Sequence, residues 1–108
     1  METQIVTLNI RGLGNHNKRN LCFEWLKQNK FEIILLQEVH CNNVTKCKWK
    51  DEWGGPCVFS GNSSQKEGVA ILINPKSDIK IENEIELEIG GVLGVEIIIW
   101  IICACAKL

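Results

Sequence analysis

Two polar strand ends carry the chemistry this chain can offer. Asn9, followed by Arg11-Gly12, closes the apolar run Gln4 to Ile10, and Gln37-Glu38 closes the run Phe31 to Leu36. A glutamate at such a place suits a hard cation such as magnesium, which takes oxygen ligands, needs only one or two carboxylates and keeps waters that a phosphate can displace. The Asn9 amide adds no charge, but from a fixed strand end it can orient a phosphate oxygen or a neighbouring carboxylate. Lys46-Cys47-Lys48-Trp49-Lys50 alternates cations with an aromatic, a pattern suited to backbone contacts and base stacking on nucleic acid. Each feature also has an ordinary counterpart: a solvated strand end, a turn-forming asparagine, and Trp49 with Trp53 covering a core.

These residues need elements to position them. About one helix separates the two apolar runs, and a strand, crossover helix and second parallel strand return both strand ends to one sheet edge. Asn9 and Glu38 would then lie side by side at the carboxyl end, where open α/β sheets bind ligands. Asn15 or Asn17 can cap the helix, which is expected to run to about Lys30 with Leu21, Cys22, Trp25 and Leu26 inward and Lys18, Arg19 and Lys27 outward. Phe31 to Gln37 lacks alternation, as a strand covered on both faces does. Further strands are expected at Cys57–Ser60, Val69–Ile73, Ile79–Ile81 and Ile85–Ile89, and Gly90-Gly91 turns the chain into Val92–Ala106.

Composition sets the outer bounds. The 108 residues are 45% hydrophobic, enough for a modest core in one domain spanning 1–108. The net charge of −1 hides an asymmetry: residues 1–50 hold eight Lys/Arg against four Asp/Glu, and residues 51–108 hold four against nine. The basic half carries the strand-end pair. Six cysteines without a basic and apolar leader at Met1-Glu2-Thr3-Gln4 read as reduced thiols in an intracellular protein, nuclear or cytoplasmic, rather than a secreted scaffold. The apolar stretch Ile97–Ala106 is about half the length of the roughly 20 residues a spanning helix needs, so it reads as a buried strand and not a membrane segment. Nothing in the sequence sets an oligomeric state.

Taken together, four segments resemble a known family. Thr7-Leu8-Asn9-Ile10-Arg11-Gly12-Leu13-Gly14, Leu35-Leu36-Gln37-Glu38-Val39-His40, Trp53-Gly54-Gly55, and Ser60-Gly61-Asn62-Ser63-Ser64 leading to Gly68-Val69-Ala70-Ile71-Leu72-Ile73 occur in the order of the endonuclease/exonuclease/phosphatase superfamily. Within it the chain is most similar to the apurinic-type endonuclease domain at the amino terminus of non-LTR retrotransposon proteins. The resemblance implies an α/β fold, a partial two-sheet (DNase I-like) sandwich that begins with a βαβ unit and continues in antiparallel strands. It implies phosphodiester cleavage with Mg2+ polarising the phosphate, Glu38 as catalytic metal ligand, Asn9 as the strand-end catalytic asparagine, and DNA as partner. The chain's own basic residues Arg11, Lys46, Lys48 and Lys50 are the candidate contacts to it.

Family domains run to roughly twice this length, and their later segments carry a catalytic tyrosine, an Asp-x-Asn pair and an Asp-His pair. This chain contains no tyrosine, and Cys105 falls where the resemblance would place it. The expectation is therefore the amino-terminal part of an endonuclease domain, silent by itself, since general acid–base help alone is worth about 10²–10⁴-fold. The alternatives are a non-catalytic nucleic-acid-binding remnant and half of a split phosphodiesterase completed by a partner. A sandwich stopped halfway is also expected to leave the 97–106 segment without strand partners.

Overall fold

A computed structural model describes residues 4–61, 67–89, 91–97 and 100–104. The order of elements is β1 (Ile5–Asn9), α1 (His16–Gln28), β2 (Ile33–Gln37), α2 (Asn43–Trp53), β3 (Cys57–Ser60), β4 (Val69–Ile73), β5 (Asn83–Glu88), β6 (Val92–Glu96) and β7 (Trp100–Ala104). The first four strands form one sheet in the order β1-β2-β4-β3, and the last three form a second, β5-β6-β7. Among the described residues β1 and β2 run parallel and the other strand pairs are antiparallel. The mixed α/β class, the βαβ start and the two-sheet arrangement match the expectation.

Side-chain alternation sorts the first sheet onto two cores. Ile34, Leu36, Phe59, Ala70 and Leu72 face the helices, where Phe23, Leu26, Trp49 and Trp53 meet them. Ile33, Val58, Val69, Ile71 and Ile73 face the second sheet and pack with Leu93, Val95 and Cys103. β2 and β4 are thus apolar on both faces, which explains why neither alternates. β1 is covered on one face only: Val6 and Leu8 pack towards the helices, and Ile5, Thr7 and Asn9 stay exposed.

Both helices end on local signals. The Asn15 side chain accepts from the Lys18 amide at 3.0 Å to start α1. At its far end the buried Asn74 donates to the Phe31 carbonyl at 3.0 Å, holding the turn into β2. α2, which hydrophobic periodicity does not announce, opens on a capping box: Asn42 accepts from the Thr45 amide at 2.9 Å, and Thr45 Oγ1 accepts from the Asn42 amide at 3.0 Å. It closes on Gly54 at φ +77°, whose amide reaches the Lys50 carbonyl at 3.2 Å.

The structure corrects four expectations. The inward face of α1 is Arg19, Phe23 and Leu26, whereas Leu21 and Trp25 are 73% and 50% exposed. The face is turned because Phe23 seats edge-on against Trp53 at 5.3 Å, and Trp25 lies on Phe31 at the rim. Residues 79–81 form no strand, although Ile79 and Ile81 cover the second core. β5 is exposed along its whole length rather than half-exposed. The run from Val92 onward is two strands, β6 and β7, paired with each other, so the 100–104 segment has a ladder partner and lies against β2 and β4. Residues 62–66 and Cys105 lie outside the described residues.

Trp53 shows how tightly the helix layer is tied to the sheet. Its indole N–H donates to the Ile73 carbonyl at 2.9 Å in a fully buried setting. Trp53→Phe leaves that carbonyl unpaired and is expected to destabilise the fold by about 1–3 kcal/mol, read from the urea midpoint.

Candidate functional site

The parallel ladder sets the geometry of the site. Ile5 to Asn9 pair one-to-one with Ile33 to Gln37, which brings Asn9 opposite Gln37 and beside Glu38. Asn9 Nδ2 donates to Glu38 Oε2, and Asn9 Oδ1 accepts from the Arg11 amide at 3.2 Å. In this structure the Asn9 amide is engaged with the Glu38 carboxylate. Glu38 is half-buried and has no ion-pair partner among the described residues, so its second oxygen is the free hard donor of this corner.

Beyond the strand ends the two loops continue the ladder. The amides of Ile10, Gly12 and Leu13 donate to the carbonyls of Gln37, Glu38 and Val39, at 3.0, 2.6 and 3.1 Å. Lys18 Nζ donates to the Ile10 carbonyl at 2.8 Å and reaches that of Arg11 at 3.3 Å. The non-glycine residues with positive φ among the described residues are Arg11 (52°), Glu38 (53°) and His40 (57°), all in these loops. Such backbone costs of order 1–3 kcal/mol per residue and persists only where the surroundings over-determine it. Here they do. A side chain on Gly12, itself at φ +94°, would meet His40 Nδ1 at 2.7 Å. On the other flank Val39 donates to the Gly68 carbonyl at 3.1 Å, and a Cβ on Gly61 would lie 2.3 Å from the Cys41 carbonyl oxygen.

Underneath the site, Cys103 of the second sheet meets β2, its Sγ donating to the Leu36 carbonyl at 3.6 Å. Gln37 Nε2 donates to Thr7 Oγ1 at 2.8 Å and lies 3.7 Å from Cys103 Sγ on β7. Cys41 and Cys57 are buried, which pushes both thiols up to about 11, whereas Cys47 is exposed on α2. Cys22, Cys41, Cys47 and Cys57 form no disulfide among the described residues.

The residue that sequence reasoning missed is Arg19, expected outside and found 2% exposed. Its Nε and Nη2 grip the two Glu52 carboxylate oxygens at 3.0 Å each, Nη1 donates to the Leu13 carbonyl at 2.9 Å, and the guanidinium lies 5.2 Å from the Trp49 ring centre. Because arginine only donates, His16 Nδ1, 3.2 Å from Nη2, is the acceptor in that contact. Lys27 is also engaged, over Trp53 at 5.2 Å and on the Glu52 carbonyl at 3.3 Å. Only the Glu52 position, thirty-three residues away and on a helix without clear periodicity, marks Arg19 as buried.

The candidate nucleic-acid contacts do not gather in the same way. Arg11 is exposed beside Asn9, and Lys48 is exposed on α2. Lys46 and Lys50, one turn apart, line a small cleft of about 170 Å³ whose other wall carries Glu84 and Glu86, so their field is partly offset. Trp49, between them in sequence, is 2% exposed and belongs to the core rather than to a stacking surface.

Comparison with known protein families bears on the same segments. The sequence pattern of the Endonuclease/Exonuclease/phosphatase family matches residues 6–101 of the 108. The chain belongs to this family. The match runs from β1 into β7 and so includes both loops that meet at Asn9 and Glu38. A family member of this architecture is a phosphodiesterase- or nuclease-type domain, and its two-sheet α/β fold is compatible with a partial DNase I-like sandwich. No helix among the described residues is long and apolar enough to cross a membrane.

Two outcomes test the site's construction. Gly61→Ala drives a methyl into the Cys41 backbone and is expected to cost about 1–3 kcal/mol in chemical denaturation. The hydrogen bonds from Arg19 hold the Glu52 carboxyl below its ordinary value of 4.5. A lowered folded value means the unfolded chain binds the extra proton first, so this stabilisation is complete above about pH 4.5 and is lost as pH falls through the folded value. Glu52→Gln is expected to remove that acid-side slope from the stability–pH curve while leaving the curve near neutrality flat.

Proposed function

We propose that this chain is the amino-terminal part of a magnesium-dependent endonuclease domain acting on DNA, of the apurinic type found in non-LTR retrotransposon proteins, and that these 108 residues are silent by themselves. The observation that carries the reading is the Asn9 amide holding the Glu38 carboxylate at paired strand ends. One oriented carboxylate with a free oxygen fits magnesium, which keeps most of its waters and needs few protein ligands. Glu38 would hold the ion, whose contribution when bound is to polarise a phosphoryl oxygen. Asn9 keeps the carboxylate aimed, and Arg11, exposed at the same corner, offers a cation to a phosphate.

What surrounds the pair supports the silence of the isolated residues. Among the described residues no group of three or more His, Cys, Asp or Glu side chains converges as a metal cluster. His16 is held by Arg19, and the His40 ring lies against Gly12, so neither is placed as the base that activates water. The chain has no tyrosine to assist at the phosphate. The DNA assignment rests on family membership with Arg11, Lys46, Lys48 and Lys50 as phosphate contacts.

Supercoiled plasmid with Mg2+ is expected to stay intact with both the native chain and Glu38→Ala. Nicking by the native chain, lost in Glu38→Ala, would overturn the silence and show that this corner suffices for cleavage. Duplex binding by fluorescence anisotropy is expected to weaken with salt at a log–log slope of about −3 to −4, for four phosphate contacts. Binding that is absent or indifferent to salt would sink the DNA assignment.

A further inference from the structure

We infer that Arg19, with Glu52, is a positioning pair for the Asn9–Glu38 corner: its guanidinium closes a ring of contacts that sets the gap between the two site loops. This rests on the reading of that corner as a metal site. The ring can be followed through named atoms. Leu13 donates its amide to Val39, next to Glu38, and offers its carbonyl to Arg19 Nη1 at 2.9 Å. From Val39 the chain passes through Cys41 into the Asn42 cap and along α2 to Glu52, which receives Arg19 on both oxygens. Thus Leu13 is gripped from both sides, by the Glu38 loop and by a charge anchored on the helix that this loop begins.

A merely stabilising role would not need this placement. With Arg19 buried and Glu52 partly exposed, desolvation of the guanidinium offsets part of the pair's attraction, so its stabilising effect is modest. What it supplies is geometry, since the planar fork has one orientation that satisfies Glu52, the Leu13 carbonyl and the Trp49 face at once. Gly14 adds a longer contact at 3.4 Å, so the whole turn before α1 follows the guanidinium. Arg11 and Glu38, both at positive φ, are the residues that would relax first if the gap widened.

The test uses the intact chain with Mn2+ as the probe, followed by two-dimensional amide NMR. In the native chain Mn2+ is expected to broaden the Asn9 and Glu38 signals selectively, and the Asn9 side-chain amide is expected at a shift displaced by its Glu38 bond. Glu52→Gln keeps the shape of the pair and frees one arm of the fork; Arg19→Lys keeps the charge but cannot bridge. Both are expected to weaken Mn2+ at the corner by about threefold or more, less than the roughly tenfold cost of losing a direct outer-shell partner, and to move the Asn9 amide towards its free position. Ile73→Val, in the second core at the far end of β4, serves as the control for lost stability and is expected to change neither. Unchanged Asn9 shifts in Glu52→Gln and Arg19→Lys, or equal changes in Ile73→Val, would overturn the inference. If Mn2+ leaves Glu38 untouched in the native chain, the metal reading fails, and the Asn9 amide shift alone decides for or against the positioning pair.

Discussion

The parallel register of β1 on β2 is the constraint on which the rest of the structure depends. It is held by Val6, Leu8 and Ile10, which must meet Phe23 and Leu26 of the crossover helix. Because side chains alternate, a slip of one residue would bury Asn9 against the helix layer and expose the apolar set. Hydrophobic burial therefore decides where a polar amide ends up. With the register fixed, Asn9 stands opposite Gln37, and the next residue on the partner chain segment is Glu38. The adjacency of Asn9 and Glu38 is a by-product of core packing.

Past the strand ends, packing no longer dictates conformation and hydrogen bonds take over. Three loop amides on one side meet three carbonyls on the other, and Val39 is tied sideways to Gly68 before β4. Glycine is required here for lack of room at Gly12 under the His40 ring, at Gly61 over Cys41 and at Gly68 against Val39. The positive φ values of Arg11, Glu38 and His40 are the cost of bringing two loops to one edge. The corner is thus strained locally and held from three directions: the parallel ladder, the β4 flank and the buried guanidinium.

Family membership gives this geometry its chemical meaning, and the structure limits how far that meaning extends. Asn9 and Glu38 form a small, rigid unit for orienting one carboxylate. The basic face is less coherent than the charge count of residues 1–50 implies. Arg19 and Lys27 are committed to Glu52 and two tryptophans, Lys18 to loop carbonyls, and Lys46 and Lys50 look towards Glu84 and Glu86. Five of the eight cations in residues 1–50 are thus engaged or offset locally, so local pairing outweighs net charge when the surface is read for partners.

The sequence by itself determined the βαβ start, the strand ends that carry Asn9 and Glu38, and the adjacency of those residues. Those features rest on short-range rules: strand periodicity, one helix length between two strands, and the handedness of crossovers. It also held α2 in a form that periodicity hides, in the Asn42-x-x-Thr45 box and the Gly54 stop, because a helix with two inward tryptophans has too few apolar positions to show a stripe. Tertiary structure alone decided which face of α1 turns inward. Leu21 and Trp25 look like core in a helical wheel, yet Arg19 takes their place because its charge is matched by Glu52, thirty-three residues away, together with the Leu13 and Gly14 carbonyls of the loop before α1. The same holds for the division of the apolar carboxyl-terminal run into β6 and β7, where a hairpin can cover β2 and β4 and one long strand would overrun them. Local patterning specifies elements; which polar groups they bury depends on partners that only the assembled fold brings within reach.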